Sequence, residues 1–216
     1  MGGRPIRSFV LRQGRITPAQ ERALETLLPK YGIVFSDSPL RSARNAPLIL
    51  EIGSGMGETT AAIAAAHPEA DFVAVEVHGP GVGSLLNRIE AGKLVNLRVV
   101  RHDAVEVLER MVEDGSLAAI HLFFPDPWPK KRHHKRRLVR PETAALMARK
   151  LRPGGVLHIA TDWPEYSAHM AAVFEASELF ETAERGLVAR PPTKFETRGR
   201  RLGHSIHDLY FRRRAA

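Results

Sequence analysis

Cysteine is absent from the 216 residues, which excludes a disulfide framework, Cys-ligated zinc, an iron–sulfur cluster and a thiol nucleophile. Long apolar runs are also missing. No window approaches the roughly 18 uninterrupted apolar residues of a membrane span, and the basic opening Met1 to Arg15 leads into no signal core. A soluble, cytoplasmic protein with no membrane partner is therefore expected. Internal repeats and low-complexity segments are lacking too. What remains is 44% apolar and 26% charged, with 17 Gly and 15 Pro, the balance of one folded α/β-sized domain with a short extension.

Acidic residues are the scarcer charge, 24 against 32 Lys and Arg, for a net +8. Location makes this informative. Residues 1–15 hold four Arg and no acid, residues 130–140 hold seven Lys or Arg and no acid, and residues 198–216 hold six Arg against Asp208, so these segments carry +16 and the rest of the chain −8. An acidic body with three basic patches fits a polyanionic partner. Solvated tails would explain either terminus, but not the internal run between apolar segments.

Apolar runs alternate with amphipathic stretches. Thr17-Pro18 opens a capped short helix reaching Leu28, inside a basic, loosely attached extension over residues 1–45. The main domain, residues 46–216, reads as strands at 48–52, 71–76, 97–101, 118–124, 156–160 and 206–211. Helices are expected at 57–66, 85–91, 104–112, 141–150 and 164–176, with Arg152-Pro153-Gly154-Gly155 as a breaker. Strands apolar on both faces and separated by helices predict a parallel sheet covered on both sides. The stretch 186–205 is expected to be a functional loop.

Gly53, Gly55 and Gly57 follow the first strand and open a helix, which puts a ligand site at the carboxyl edge of the sheet. A dinucleotide fingerprint would want Gly or Ala where this chain has Glu58. Glu51 would be unfavourable beside a pyrophosphate but suits an ammonium group. Glu76, at the end of the second strand, is placed to hydrogen-bond a ribose diol, and Asp103, after the third, to meet an adenine amino group. An amino acid at one end, adenosine at the other and no phosphate describe S-adenosylmethionine. Singly, each element is weak; their recurrence at three successive strand ends is what points to this cofactor.

The fourth strand runs into Pro125-Asp126-Pro127-Trp128-Pro129 and then Lys130-Lys131-Arg132-His133-His134-Lys135-Arg136-Arg137. Three prolines hold Asp126 on a stiff backbone beside the expected pocket, and the adjoining cations can grip phosphates. A turn with an anchoring Trp is the plain alternative. No metal is expected. No carboxylate cluster completes a set around His133 and His134, and the spacing of His204 and His207 in a strand separates the two faces. His133 and His134 suit a polar role at an RNA surface.

These blocks, with the segments R-S-F-V-L-R-Q-G-R-I-T near the start and T-K-F-E-T-R-G-R-R-L-G-H-S-I-H-D-L near the end, resemble the bacterial tRNA (guanine-N7)-methyltransferases over essentially the whole chain. The P-D-P-W-P-K-K-R-H-H-K-R-R and T-K-F-E blocks are specific, whereas many methyltransferases share the glycine loop. The resemblance implies an α/β, Rossmann-like methyltransferase fold with a seven-stranded, mostly parallel sheet, helices on both faces and the last strand antiparallel. It implies tRNA as partner, with methylation of a variable-loop guanine. By matching position, it implies S-adenosylmethionine contacts at Glu51, Glu76, Asp103 and Asp126, with Asp126 also catalytic. It further implies substrate contacts at Lys130, Asp162, Thr193, Lys194, Phe195 and Glu196, and RNA contacts across Arg132, His133, His134, Lys135, Arg136 and Arg137.

Guanine N7 carries an in-plane lone pair and no proton, so its methylation needs alignment rather than a general base. Positive charge moves onto the purine, and carboxylates facing it, Asp126 and Glu196 by expectation, gain interaction in the transition state. An ion pair of Glu196 with Lys194 or Arg198 is the structural alternative. Competing functions are a methyltransferase of another RNA or an amine, and a non-catalytic RNA-binding module that keeps the fold. No obligatory protein partner is evident, leaving monomer or homodimer open.

Overall fold

The computed structural model describes Ser8, Phe9, residues 14–191, Glu196 and residues 205–215. Among them no helix is long and apolar enough to cross a membrane. Seven strands, β1 (Leu48–Ile52), β2 (Asp71–Val75), β3 (Leu97–Val100), β4 (Leu117–Phe123), β5 (Leu151–Thr161), β6 (Phe180–Thr182) and β7 (His207–Arg213), form one sheet. Its order is β3-β2-β1-β4-β5-β7-β6. The first five run parallel, and β7 lies antiparallel between β5 and β6.

The period-two pattern of the strands assigns the helices to two layers. Ile49, Phe72 and Val99 face Ile63 of α3 (Glu58–Ala66) and Val82, Leu85 and Ile89 of α4 (Gly79–Gly92). Leu50, Val73, Ile120 and Leu157 face the other layer, of α5 (Ala104–Arg110), α6 (Pro141–Lys150) and α7 (Pro164–Glu175). Burying each such Leu or Ile contributes about 1.5–3 kcal/mol.

The N-terminal helix is built into the first layer. In α1 (Pro18–Thr26), Thr17 and Gln20 form a reciprocal capping box. The helix packs against α4 so closely that a Cβ on Gly83 would stand 2.5 Å from the Gln20 carbonyl oxygen. Residues 18–26 are thus docked rather than loosely attached. Pro29 falls in the short α2 (Leu28–Tyr31), and Ile33 N–H then donates to the Val99 carbonyl at the sheet edge.

Several boundaries differ from the sequence pattern, each for a local reason. Helix α4 starts six residues before the expected Leu85, because Pro80 is tolerated in a first helical turn. Strand β5 begins at Leu151, so Arg152 to Gly155 lies within it. The register passes from Leu117 opposite Leu151 to Ala119 opposite Val156, and the extra residues bulge out, with Gly154 at φ +74°. The segment Lys131–Arg136 is a 3-10 helix. Three-residue β6 leaves no periodicity to read.

Candidate active site

β1 has β2 on one side and β4 on the other, so the connections diverge and leave a crevice outside its carboxyl end. A cleft of about 220 Å³ opens there, its walls including Gly53, Glu76, Asp103, Phe123 and Asp126, with Ser8 and Phe9 alongside.

The glycine loop shapes one wall. Gly53, Gly55 and Gly57 all have positive φ, of +75°, +55° and +72°. A Cβ on Gly53 or Gly55 would meet nothing within 4 Å, so the loop presents bare backbone to open space, whereas one on Gly57 would collide with Leu85 at 2.5 Å. Gly81 serves the same junction from α4, since its Cβ would stand 2.5 Å from the Gly55 carbonyl oxygen.

Glu51 on β1 is buried, and its Oε1 accepts a 2.9 Å hydrogen bond from the Thr60 hydroxyl. Its Oε2 and the Ser54 hydroxyl oxygen are buried without a hydrogen-bond partner among the described residues. Burial, against the Thr60 bond and helped by the nearby Glu76 charge, pushes the Glu51 pKa up to about 7. Its cross-strand neighbour His121 goes the other way: burial, with repulsion from His158 and His67, holds its pKa near 3, so the ring is neutral.

Glu76 is buried just past β2. Its Oε2 accepts from Gly55 N–H at 2.7 Å, and Oε1 accepts from Val77 and His78 N–H at 2.8 Å each. A carboxylate has about four acceptor positions, so this one ties the glycine loop to β2 and keeps capacity for a ligand hydroxyl. Asp103 caps α5 by accepting from Val105 N–H at 2.9 Å and lines the cleft beside His102.

Asp126 occupies the opposite wall. The prolines are one source of rigidity; the other is strain, since Phe124 and Trp128 adopt φ of +52° and +45°. Left-handed backbone at a non-glycine residue costs on the order of 1–3 kcal/mol and needs support. Phe124 N–H donates to the Ala160 carbonyl at 2.7 Å. Trp128 Nε1–H donates to the Ser8 carbonyl at 3.2 Å, and the Arg136 guanidinium lies 5.1 Å from its ring centre. Asp126 itself is exposed, with no hydrogen-bond or ion-pair partner among the described residues, and partial desolvation raises its pKa from the ordinary aspartate value.

The basic run divides in two. Lys130, Arg132 and Lys135 are exposed and His133, His134 and Arg136 half-buried. Desolvation and the cations Arg132, Arg136, Lys130 and Lys135 lower the pKa of His133. Arg137 departs from the expected RNA surface. Its side chain is 1% exposed, forks onto both Glu165 carboxylate oxygens on α7, donates to the Pro127 carbonyl and lies over the Tyr166 ring. A guanidinium so enclosed anchors the P-D-P-W-P turn to α7 rather than meeting phosphates.

Asp162 follows β5 and is half-buried. Thr193, Lys194, Phe195 and His204 lie outside the described residues, whereas His207 starts β7. Glu196 is buried, and among the described residues it pairs with Arg190, with Nη1 to Oε2 at 2.7 Å; the expected partners, Lys194 and Arg198, lie outside the described residues. Arg190 also forks onto Asp208 of β7. Thr60, Gly81, Arg190, Asp208 and His158 escaped sequence reasoning. Of these, only the glycine-rich turn G-P-G-V-G and the arginine beside P-P-T-K-F-E carry a local signal.

The comparisons with known proteins bear on this geometry. Residues 45–209 match a family model described as "Putative methyltransferase". The tRNA (guanine-N(7)-)-methyltransferase of Nitrosomonas europaea is 54% identical, over 98% of each chain, and that of Neisseria meningitidis serogroup A is 52% identical, over 97% of this chain and 92% of its own. Among solved structures, an rRNA methylase from Streptococcus thermophilus superposes with a TM-score of 0.55 at 13% identity, over 94% of this chain and all of its own. A 16S rRNA (adenine(1408)-N(1))-methyltransferase variant from Catenulisporales acidiphilia, solved with its cosubstrate, gives 0.53 at 19% identity over 78% of this chain and 86% of its own. The structures share the fold; the curated relatives align over nearly the whole chain at more than half identity, and the protein belongs to the tRNA (guanine-N7)-methyltransferase family.

Proposed function

We propose that the protein transfers a methyl group from S-adenosylmethionine to N7 of a guanine in the tRNA variable loop, acting in the cytoplasm. The observation that carries the reading is the presence, at the carboxyl edge of the sheet, of two carboxylates with acceptor capacity left over among the described residues: Glu51, buried beside the glycine loop with Oε2 lacking a hydrogen-bond partner, and Asp126, in the cleft lining on a strained, proline-framed turn. Bound S-adenosylmethionine supplies an electrophilic methyl group on a sulfonium centre.

The chain's own groups fit that ligand. Glu51 Oε2 and the Ser54 hydroxyl would receive its amino-acid end, Glu76 its ribose hydroxyls and Asp103 its adenine amino group, while Gly53 and Gly55 leave room for its backbone-close passage. The same positions suit a charge that burial alone would leave uncompensated at Glu51.

Asp126 faces the space that an incoming base would enter. No proton has to leave N7, so the role of Asp126 is electrostatic. It orients the base and stabilises the positive charge that develops on it. Glu196 would accept hydrogen bonds from the guanine Watson–Crick edge, which adenine cannot donate in the same pattern. Lys130, Arg132, Lys135 and Arg136, with His133 and His134, would hold the RNA backbone beside the cleft, and Asp162 with the 193–195 segment would complete the base site.

Incubation of bulk tRNA with methyl-labelled S-adenosylmethionine, followed by nucleoside analysis, tests this. Label is expected in 7-methylguanosine of tRNA and absent from DNA and protein. Label in another nucleoside would overturn the substrate assignment while leaving the fold untouched.

A further inference from the structure

Arg190 belongs to the 186–205 segment, yet it is held by the sheet. Gly186 and Val188 lay this segment over β5 and β7. A Cβ on Gly186 would stand 3.3 Å from His158 Nδ1 and 3.4 Å from the Tyr210 ring, and Val188 is buried with Phe123 and Ala160. The Arg190 guanidinium then lies 5.7 Å from the ring centres of both Phe123 and Phe124, the residues that end β4 and lead into Asp126.

Its donors go to two carboxylates and, more weakly from Nη1, to the Pro191 carbonyl at 3.4 Å. Nη1 donates to Glu196 Oε2 at 2.7 Å, while Nε and Nη2 fork onto Asp208 at 3.2 and 3.0 Å. The side chains of Arg190 and Glu196 are only 6% and 5% exposed. Asp208 is fixed in turn by His158 Nε2 at 2.8 Å, and His158 sits on β5 with its ring edge-on to Phe123. Burial pushes Asp208 up, but the His158 bond and the Arg190 guanidinium outweigh it and bring its pKa to about 2. The carboxylate is thus ionised throughout the working range.

We propose that Arg190 is a positioning residue for methyl transfer: anchored through Asp208 and His158 to β5 and set beside the Phe123–Phe124 wall, it fixes the orientation of the Glu196 carboxylate for reading the guanine edge. This rests on the proposed reaction and on Glu196 meeting the base. A planar guanidinium is suited to the task because one fork can grip Asp208 while the remaining nitrogen aims at Glu196, which a lysine ammonium cannot reproduce. Without Arg190 the buried Glu196 carboxylate would lose the guanidinium that orients its Oε2, and its geometry would loosen. That loosening misplaces an acceptor of the base site without touching the glycine loop, Glu51 or Glu76.

The test is a double-mutant cycle on the full chain with bulk tRNA, read as 7-methylguanosine formed at saturating S-adenosylmethionine and tRNA. Arg190→Lys is expected to lower kcat tenfold or more, with the KM for S-adenosylmethionine and the melting temperature nearly unchanged. In a Glu196→Gln background the same change should cost less than twofold, because its route of action is already removed. Asp208→Asn, which loosens the anchor from the other side, should show the same loss of effect in that background and carries the test if Arg190→Lys melts at the assay temperature. Costs that simply multiply would overturn the proposal, as would an effect confined to the KM for S-adenosylmethionine. An unmodified protein that makes no 7-methylguanosine would refute the functional reading as well; unmodified and Arg190→Lys proteins of equal kcat would refute the positioning role alone.

Discussion

The two halves of the sheet build their parts of the site differently. On the β1–β3 side two carboxylates that line the cleft sit just past a strand end and are held by backbone: Glu76 by the N–H groups of Gly55 in the glycine loop and of Val77 and His78, Asp103 by Val105. On the β4–β7 side the loops are held by side-chain ion pairs between distant segments, Arg137 with Glu165 and Arg190 with Asp208 and Glu196. Local backbone suits a small ligand held at the strand ends, whereas ion pairs between segments let a loop be pinned to the sheet and helices beside a large RNA.

That contrast predicts different damage from similar substitutions. The largest effect is expected on the backbone-held side. Glu76→Ala strands three N–H donors and removes the ribose acceptor, and S-adenosylmethionine affinity should fall about a hundredfold, near 3 kcal/mol, with turnover at saturation much less affected. Calorimetric titration measures it; an affinity within threefold of the original would remove Glu76 from the cofactor site.

Next in size is a pH effect on the same side. Glu51 titrates near 7 because burial disfavours its charge, and an ammonium ligand requires the charged form. Below pH 7 the carboxyl must first lose a proton, so affinity should fall roughly tenfold per pH unit as the solution is acidified. The ligand's own amino group loses its charge above about pH 8, which places the maximum between. His121, neutral down to about pH 3, does not titrate in this window. Glu51→Gln should flatten the acidic limb, and an unflattened limb would assign the titration elsewhere.

On the ion-paired side, Arg137 and Arg136 should separate although adjacent. Arg137→Ala loses packing on Tyr166 and the Pro127 carbonyl contact, a cost of about 2 kcal/mol; the pair itself is discounted because the Glu165 side chain is 56% exposed. A melting temperature lower by about 5 °C is expected, with the salt dependence of tRNA binding unchanged. Arg136→Ala, which loses only the contact with Trp128 among the described residues, should lower melting less than Arg137→Ala and flatten the slope of log affinity against log salt by about 0.7–0.9. The reverse pattern would exchange their roles.

The same division governed what could be read from the sequence. Glu51, Glu76 and Asp103 were legible because strand period and glycine spacing place them locally, and the parallel order of β1 to β5 followed from runs apolar on both faces. The bulge inside β5 was not, because Arg-Pro-Gly-Gly is also what a turn looks like; only the pairing with β4 separates the two. Three-residue β6 was too short to carry a period. Arg137 looked like its neighbours because burial by Glu165, 28 residues away, leaves no mark in the basic run. Arg190 with Asp208 is the same case, two charges that acquire meaning only when β7 inserts beside β5.

We propose that Asp126, beside its expected contact with S-adenosylmethionine, acts chiefly on the reacting base, which makes the rate of methyl transfer its direct readout. Single-turnover formation of 7-methylguanosine in tRNA is compared for the unmodified chain and Asp126→Ala, alongside S-adenosylmethionine affinity. A rate lower by about a hundredfold or more is expected, the scale of one lost preorganised electrostatic contact, with a smaller change in cofactor affinity. A weakened S-adenosylmethionine affinity with an unchanged single-turnover rate at saturation would make Asp126 a binding group and contradict this proposal.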